Sequence, residues 1–232
     1  MKKIIFSFYL FSFGLMAFSA PDQAEKVIWN IGKADNSSSE FALAPNGFKN
    51  FVEHDFGYED KYFLIGYSKE KNDLPYVIPG PVDTWGCTWP TSGWRKNQVN
   101  ILFGVQNLSA NENYKLVIKL LDYVKKFLPL VKVSINNHDE KIQLEAVGYD
   151  VNKQPYPRQD EAYIDTTSLT GNLSSATPKT IEIPINRGII RKGGNGVTIT
   201  VLDGSWILFD QVRLEGSSNV ELKNLAKYLF AM

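Results

Sequence analysis

The sequence predicts an all-β protein, an antiparallel β-sandwich of the jelly-roll kind. Three observations carry this. Short runs of β-branched and aromatic residues recur along the chain, Gly, Pro, Asn and Asp turns separate them, and helical periodicity is nearly absent. Long excursions between the early strands suit a jelly roll better than a tight meander.

The first element is not part of the fold. Lys2 and Lys3 precede an almost wholly apolar stretch, residues 4–18, that ends in small residues. It is shorter than the roughly 20 residues a spanning helix needs. Residues 1–19 are therefore expected to be a Sec-type signal peptide of a bacterial cell, cut after Ser19, with a membrane anchor as the alternative. The mature protein is expected in the periplasm or the medium, away from the membrane. The sandwich domain is expected over residues 20–216.

The strands follow in order. Residues 27–31 are apolar and β-prone, closed by Gly32, and residues 61–67 form a second run. Residues 46–60 are expected to include one helical turn around Phe48, Phe51 and Val52. Residues 100–105 make a strand, and residues 114–121 another. In the latter Leu116, Ile118 and Leu120 share one face, while Val117 and Leu121 interrupt the polar pattern of the other. Residues 130–135 alternate cleanly, as a half-buried strand does. Residues 136–139 read as a turn and residues 141–147 as the returning strand. Ile181, Ile183 and Ile185 share a face, as do Val197, Ile199 and Val201. The Gly193-Gly194-Asn195-Gly196 run between them reads as a turn. Residues 206–214 form the last strand. In the tail, 217–232, Leu222, Leu225, Ala226 and Leu229 have helical spacing on a segment too short to be a stable helix alone. It either packs on the sandwich or opens a further segment of a larger protein.

Composition narrows the function. The formal net charge is zero and the pI is about 6.7, which argues against nucleic acid as a partner. One cysteine, Cys87, excludes an internal disulfide framework. Lying away from any neighbouring His, it reads as a packing residue rather than a nucleophile. His54 and His138, the two histidines, both sit in polar surroundings that read as solvated surface. No G-x-S-x-G, H-E-x-x-H or phosphate-loop motif occurs, and no carboxylate pair can be assigned from spacing alone. The expected catalytic set is empty.

The informative segment is residues 75–95, PYVIPGPVDTWGCTWPTSGWR. A loop this long in a compact domain usually has a task, and its prolines stiffen it. Three of the chain's five tryptophans lie here: Trp85, Trp89 and Trp94. Indole faces suit the C–H face of a pyranose ring, and Asp83 and Arg95 supply polar contacts, Arg95 as a fork for a uronic-acid carboxylate. Three readings of the loop stand side by side: a carbohydrate-binding surface, a cap that buries its tryptophans, and a protein interface. Asp35, Glu40 and Asp210 form a weaker group. If the first and last strands are neighbours, these carboxylates could share a structural calcium. In the preferred alternative Asp35 caps a turn with Asn36 and Ser37, and Asp210 takes backbone hydrogen bonds.

Two segments resemble a known family. Residues 27–32 (VIWNIG), then Asp35, then Glu40-Phe41, resemble the opening of the third domain of rhamnogalacturonan lyases of polysaccharide lyase family four. That opening reads Trp-x-Ile-Gly, an Asp, then Glu-Phe. Residues 194–201 (GNGVTITV), with Gly204-Ser205, Phe209-Asp210 and Arg213-Leu214-Glu215, are similar to its closing strands. The resemblance implies a galactose-binding-like jelly roll that accompanies a separate catalytic domain. It implies recognition of a pectic polysaccharide, and it makes Asp35, Glu40, Asp210 and Arg213 a structural signature. The 75–95 loop is an elaboration without a counterpart there. The catalytic domain is absent from this chain, so lyase activity does not carry over.

Overall fold

The computed structural model of the chain describes residues 26–57, 61–86, 96–108, 113–145, 167–216 and 220–226. The expected signal peptide lies outside these residues, as do Cys87, Trp89, Trp94 and Arg95.

Eleven strands among the described residues build two sheets: β1 (Lys26–Gly32), β2 (Tyr62–Leu64), β3 (Val77–Ile78), β4 (Gln98–Asn107), β5 (Tyr114–Tyr123), β6 (Leu130–Ile135), β7 (His138–Gln143), β8 (Lys179–Ile185), β9 (Gly193–Asp203), β10 (Ile207–Gly216) and β11 (Glu221–Lys223). The first sheet runs β1-β10-β5-β8, with β3 continuing the β1 edge of β10. The second runs β11-β4-β9-β6-β7, with β2 lying parallel to β4. All other pairings are antiparallel. The fold is the expected all-β sandwich, and its first and last long strands are neighbours, Asn30 opposite Arg213.

Alternation sets which side chains fill the space between the sheets. Leu116, Ile118, Ile181, Ile183, Val212 and Leu214 come from the first sheet. Ile101, Phe103, Val131, Val133, Val197 and Ile199 come from the second, and all are buried. Trp29 and Phe103 meet across the gap with ring centroids 5.4 Å apart.

Four expectations need correction. The Gly193-Gly194-Asn195-Gly196 run is not a turn but the first part of β9, paired with residues 102–105 of β4. The Asn195 side chain holds it there, accepting from Arg191 N and Asn136 Nδ2 and donating to the carbonyls of Arg191 and Gly193. The 136–139 turn shrinks to Asn136-Asn137, both at positive φ, so β7 begins at His138. That is the conformation a two-residue hairpin of the primed type requires. The second strand shortens to three residues because the chain turns at Gly66, φ +83°. In the tail, Leu222 lies in a strand, residues 221–223 pairing with β4, and is not on a helix; Leu229 lies outside the described residues. The helical turn expected near Phe48 is present as a 3-10 turn at Phe48–Asn50.

Candidate functional site

The start of the tryptophan loop crosses one corner of the sandwich. It is anchored there by backbone fit and by one carboxylate. Gly80 lies so close to the β9–β10 turn that an added Cβ would stand 2.4 Å from the Gly204 carbonyl oxygen. Val82 N donates to that same oxygen. Asp83 then turns inward: one oxygen accepts from Gly80 N at 2.7 Å and the other from Ser205 Oγ at 2.6 Å. The residue is only 3% exposed. Burial lifts its carboxyl from 3.8 to about 6, against the opposing pull of the Ser205 and Gly80 hydrogen bonds. Asp83 was expected to face a ligand from solvent; its placement makes it the brace of the loop instead, since its oxygens are turned to the protein.

The brace leads into a 3-10 turn at Thr84–Gly86 that carries Trp85. Trp85 is half-buried and meets two rings edge-on: Phe48 at 5.2 Å and 77°, and Phe51 at 5.7 Å and 79°. Phe56 adds a third phenyl ring, 5.8 Å from Phe51. Edge-to-face contacts at these spacings are the favoured aromatic geometry. Behind them Asn97 Nδ2 donates to the Gly86 carbonyl at 2.5 Å, while Asn97 Oδ1 is buried without a partner among the described residues.

Beside this aromatic corner lies a shallow, partly open depression. Phe51, Phe56, Phe63, Leu74, Pro75 and Ile78 form its apolar walls, and Lys61, Asp73, Gln98 and Asn100 its polar rim. Lys61 pairs with Asp55, and Asp73 accepts from Lys69 N. Gln98 Nε2 donates to Asn100 Oδ1, and Asn100 Nδ2 donates to the Lys61 carbonyl. The wall residues are all buried, so what the depression offers to solvent is chiefly its rim of amides and opposite charges. Of the residues expected from sequence, Trp85 packs against Phe51, one of the pocket's walls. Phe51, Phe56, Lys61, Asp73, Gln98 and Asn100 were not foreseen. Only the aromatic spacing around Phe48 hinted at them, because the pocket is assembled from four separate stretches of chain.

The calcium candidates sit elsewhere, where β1 leaves the first sheet. Asp210 Oδ1 accepts from Asn36 N at 3.1 Å, Asp35 Oδ1 from Ser37 N at 3.1 Å, and Glu40 Oε1 from Lys33 N at 2.6 Å. Burial raises the Asp210 carboxyl, the N–H groups of residues 35–37 pull it down, and the Asp35 charge adds to the rise. Among the described residues no three His, Cys, Asp or Glu side chains come close enough to hold a metal. Oxygens aimed at N–H donors brace a loop, which is the turn-capping arrangement. Arg213 joins this structural set, donating to Glu215 and Gln211 on the outer face of the first sheet.

Comparison with known proteins gives a family match. The family model described as CBM-like, polysaccharide lyase family 4, domain III, matches residues 27–214. No curated protein matches. Among solved structures, a family 35 carbohydrate-binding module from an environmental isolate is 10% identical, with 55% of this chain and 71% of that one covered and a TM-score of 0.33. A CBM35 from Cellvibrio japonicus Abf62 is 14% identical, covering 56% and 70%, with a TM-score of 0.30. A cycloalternan-forming enzyme from Listeria monocytogenes, in complex with a pentasaccharide substrate, is 15% identical, covering 66% and 10%, with a TM-score of 0.32.

Proposed function

Because the chain belongs to the CBM-like family of polysaccharide lyase family 4 domain III, we propose that it is a secreted carbohydrate-binding module that holds a pectic polysaccharide, such as rhamnogalacturonan, for an enzyme of plant cell-wall breakdown. The observation that carries this is half-buried Trp85, backed edge-on by the buried rings of Phe48 and Phe51 and set next to a shallow, partly open depression with an amide and charged rim. Trp85, the half-buried ring of this corner, takes the C–H face of a sugar, and the rim takes its hydroxyls. Trp89, Trp94 and Arg95 follow Trp85 within ten residues of chain, and the reading gives them the same ligand. Asp83 serves by holding the loop in place. Export is part of the proposal and rests on the charged and apolar pattern of residues 1–19.

The role is binding, with the chemistry left to a catalytic partner. A second reading follows from the family's description as one domain of a lyase: the chain is the sandwich portion of a larger polysaccharide lyase or glycoside hydrolase. Both readings share the same binding step. Affinity electrophoresis in gels containing pectic polysaccharides tests it. The wild-type protein should be retarded, and Trp85→Ala and Trp89→Ala should migrate faster. Equal mobility of all three proteins in every gel overturns the proposal.

A further inference from the structure

The pocket rim does not stop at the corner. Gln98 and Asn100, which line it, take the outward positions of β4, Gln98 half-buried and Asn100 itself buried at 6% exposure. On that face strand register sets up a row across five strands: Tyr62 on β2 is opposite Asn100 on β4, Asn100 opposite Thr198 on β9, Thr198 opposite Ser134 on β6, and Ser134 opposite Asp139 on β7. Four interstrand gaps span about 19 Å, room for several pyranose rings end to end. Tyr62 is 56% exposed at the near end of the row. An aromatic ring at such exposure buries little of its own surface and is available as a platform.

The row is polar, neutral over most of its length and held in shape. Thr198 Oγ1 donates to Asn100 Oδ1 at 2.9 Å, and Ser134 Oγ to Asp139 Oδ1 at 2.6 Å. Charged pairs stand at its two ends, Lys61 with Asp55 at the pocket rim and Lys132 with Asp139 at 2.8 Å. Alongside it, Gly194 and Gly196 leave the sheet floor without side chains. A Cβ on Gly194 would meet nothing within 4 Å, and one on Gly196 only Leu102 at 3.5 Å and the Ile101 carbonyl oxygen at 4.0 Å. The outer face of the first sheet differs: Lys115 bridges Glu182 and Glu215, and Arg213 binds Glu215, which covers that surface with ion pairs.

We infer that the outer face of the second sheet is a glycan track continuous with the corner pocket, so the ligand is a polysaccharide chain held along its length and not a free sugar or a chain end. The inference rests on the carbohydrate reading of the corner. Tyr62 stacks one sugar, the hydroxyls of Thr198 and Ser134 meet those of its neighbours, and the glycine floor lets the chain lie close to the backbone.

Isothermal titration with a disaccharide and an octasaccharide cut from one pectic polysaccharide tests it. The wild-type protein should bind the octasaccharide at least roughly tenfold more tightly than the disaccharide. Tyr62→Ala and Gly196→Gln should erase that preference without changing disaccharide affinity, and Tyr62→Phe, which keeps the ring, should retain it. Unchanged melting temperatures confirm that the variants fold. A length preference that survives both Tyr62→Ala and Gly196→Gln, while Trp85→Ala weakens both sugars, keeps the corner and overturns the track. Equal affinity of the wild type for both sugars also overturns the track. Failure of the wild type to bind either sugar removes the corner reading and the track with it.

Discussion

Asp83 shows how one carboxyl can set the pH behaviour of a loop. Its folded-state value of about 6 lies above the ordinary 3.8 because burial disfavours the charge. The folded protein thus keeps this proton to a higher pH than the unfolded chain does. The resulting stabilisation is complete below about 3.8 and is lost as pH rises through about 6, a span worth about 3 kcal/mol. Asp83→Asn removes the titration. Its amide can still accept from Gly80 N and donate to Ser205 Oγ. Denaturation midpoints measured from pH 4 to pH 7 should therefore fall less steeply in Asp83→Asn than in the wild type, and parallel curves would contradict the assignment. The residue type and its place among prolines were readable in the sequence. Its inward orientation was not, because Ser205 lies 122 positions away and meets it only when β10 docks.

At the scale of elements, the segment after β7 depends on a few tethers to the first sheet. Asp122, near the end of β5 and buried, accepts from Ser168 Oγ and from Thr177 N, the latter at 2.9 Å. Tyr76 adds a second hold, its hydroxyl donating to the Leu169 carbonyl at 2.7 Å from a buried position. Burial pushes that phenol well above its ordinary value. Removing Asp122 strands two donors in a poorly hydrated place, so Asp122→Ala should cost about 2–3 kcal/mol by chemical denaturation. Amide exchange should quicken first across residues 167–177, while β5 and β10 stay protected. Uniform exchange through the whole protein would refute the tether.

For the molecule as a whole, the second sheet is completed by the far end of the described chain. Leu222 pairs opposite Val105 on β4, Ala226 is buried, and Leu225 closes over Gly104. Ending the chain at Gly216 would uncover these apolar groups, a loss of about 1–3 kcal/mol. It would also expose the free half of the β4 edge to other chains. The truncated protein should melt roughly 5 °C lower and show concentration-dependent association by light scattering. An unchanged melting temperature would mean the tail is an appendage.

The sequence by itself determined most of the long strands, the sandwich and the aromatic richness of one loop, because alternation and turn chemistry are local and each long strand carries its own pattern. Residues 130–135 and 27–32 could be assigned from their side chains alone. Where local signal and pairing disagreed, pairing won: the Gly193-Gly194-Asn195-Gly196 run looks like a turn, yet β4 and the Asn195 hydrogen bonds hold it as strand. Tertiary structure alone decided that Asp83 braces and that Phe51, Phe56, Lys61, Asp73, Gln98 and Asn100 share one pocket. It alone aligned Tyr62 with Asn100, Thr198 and Ser134. The physical reason is that a site on a sandwich is a matter of register and strand order, which join residues far apart in the chain, and no local pattern encodes which strands will be neighbours.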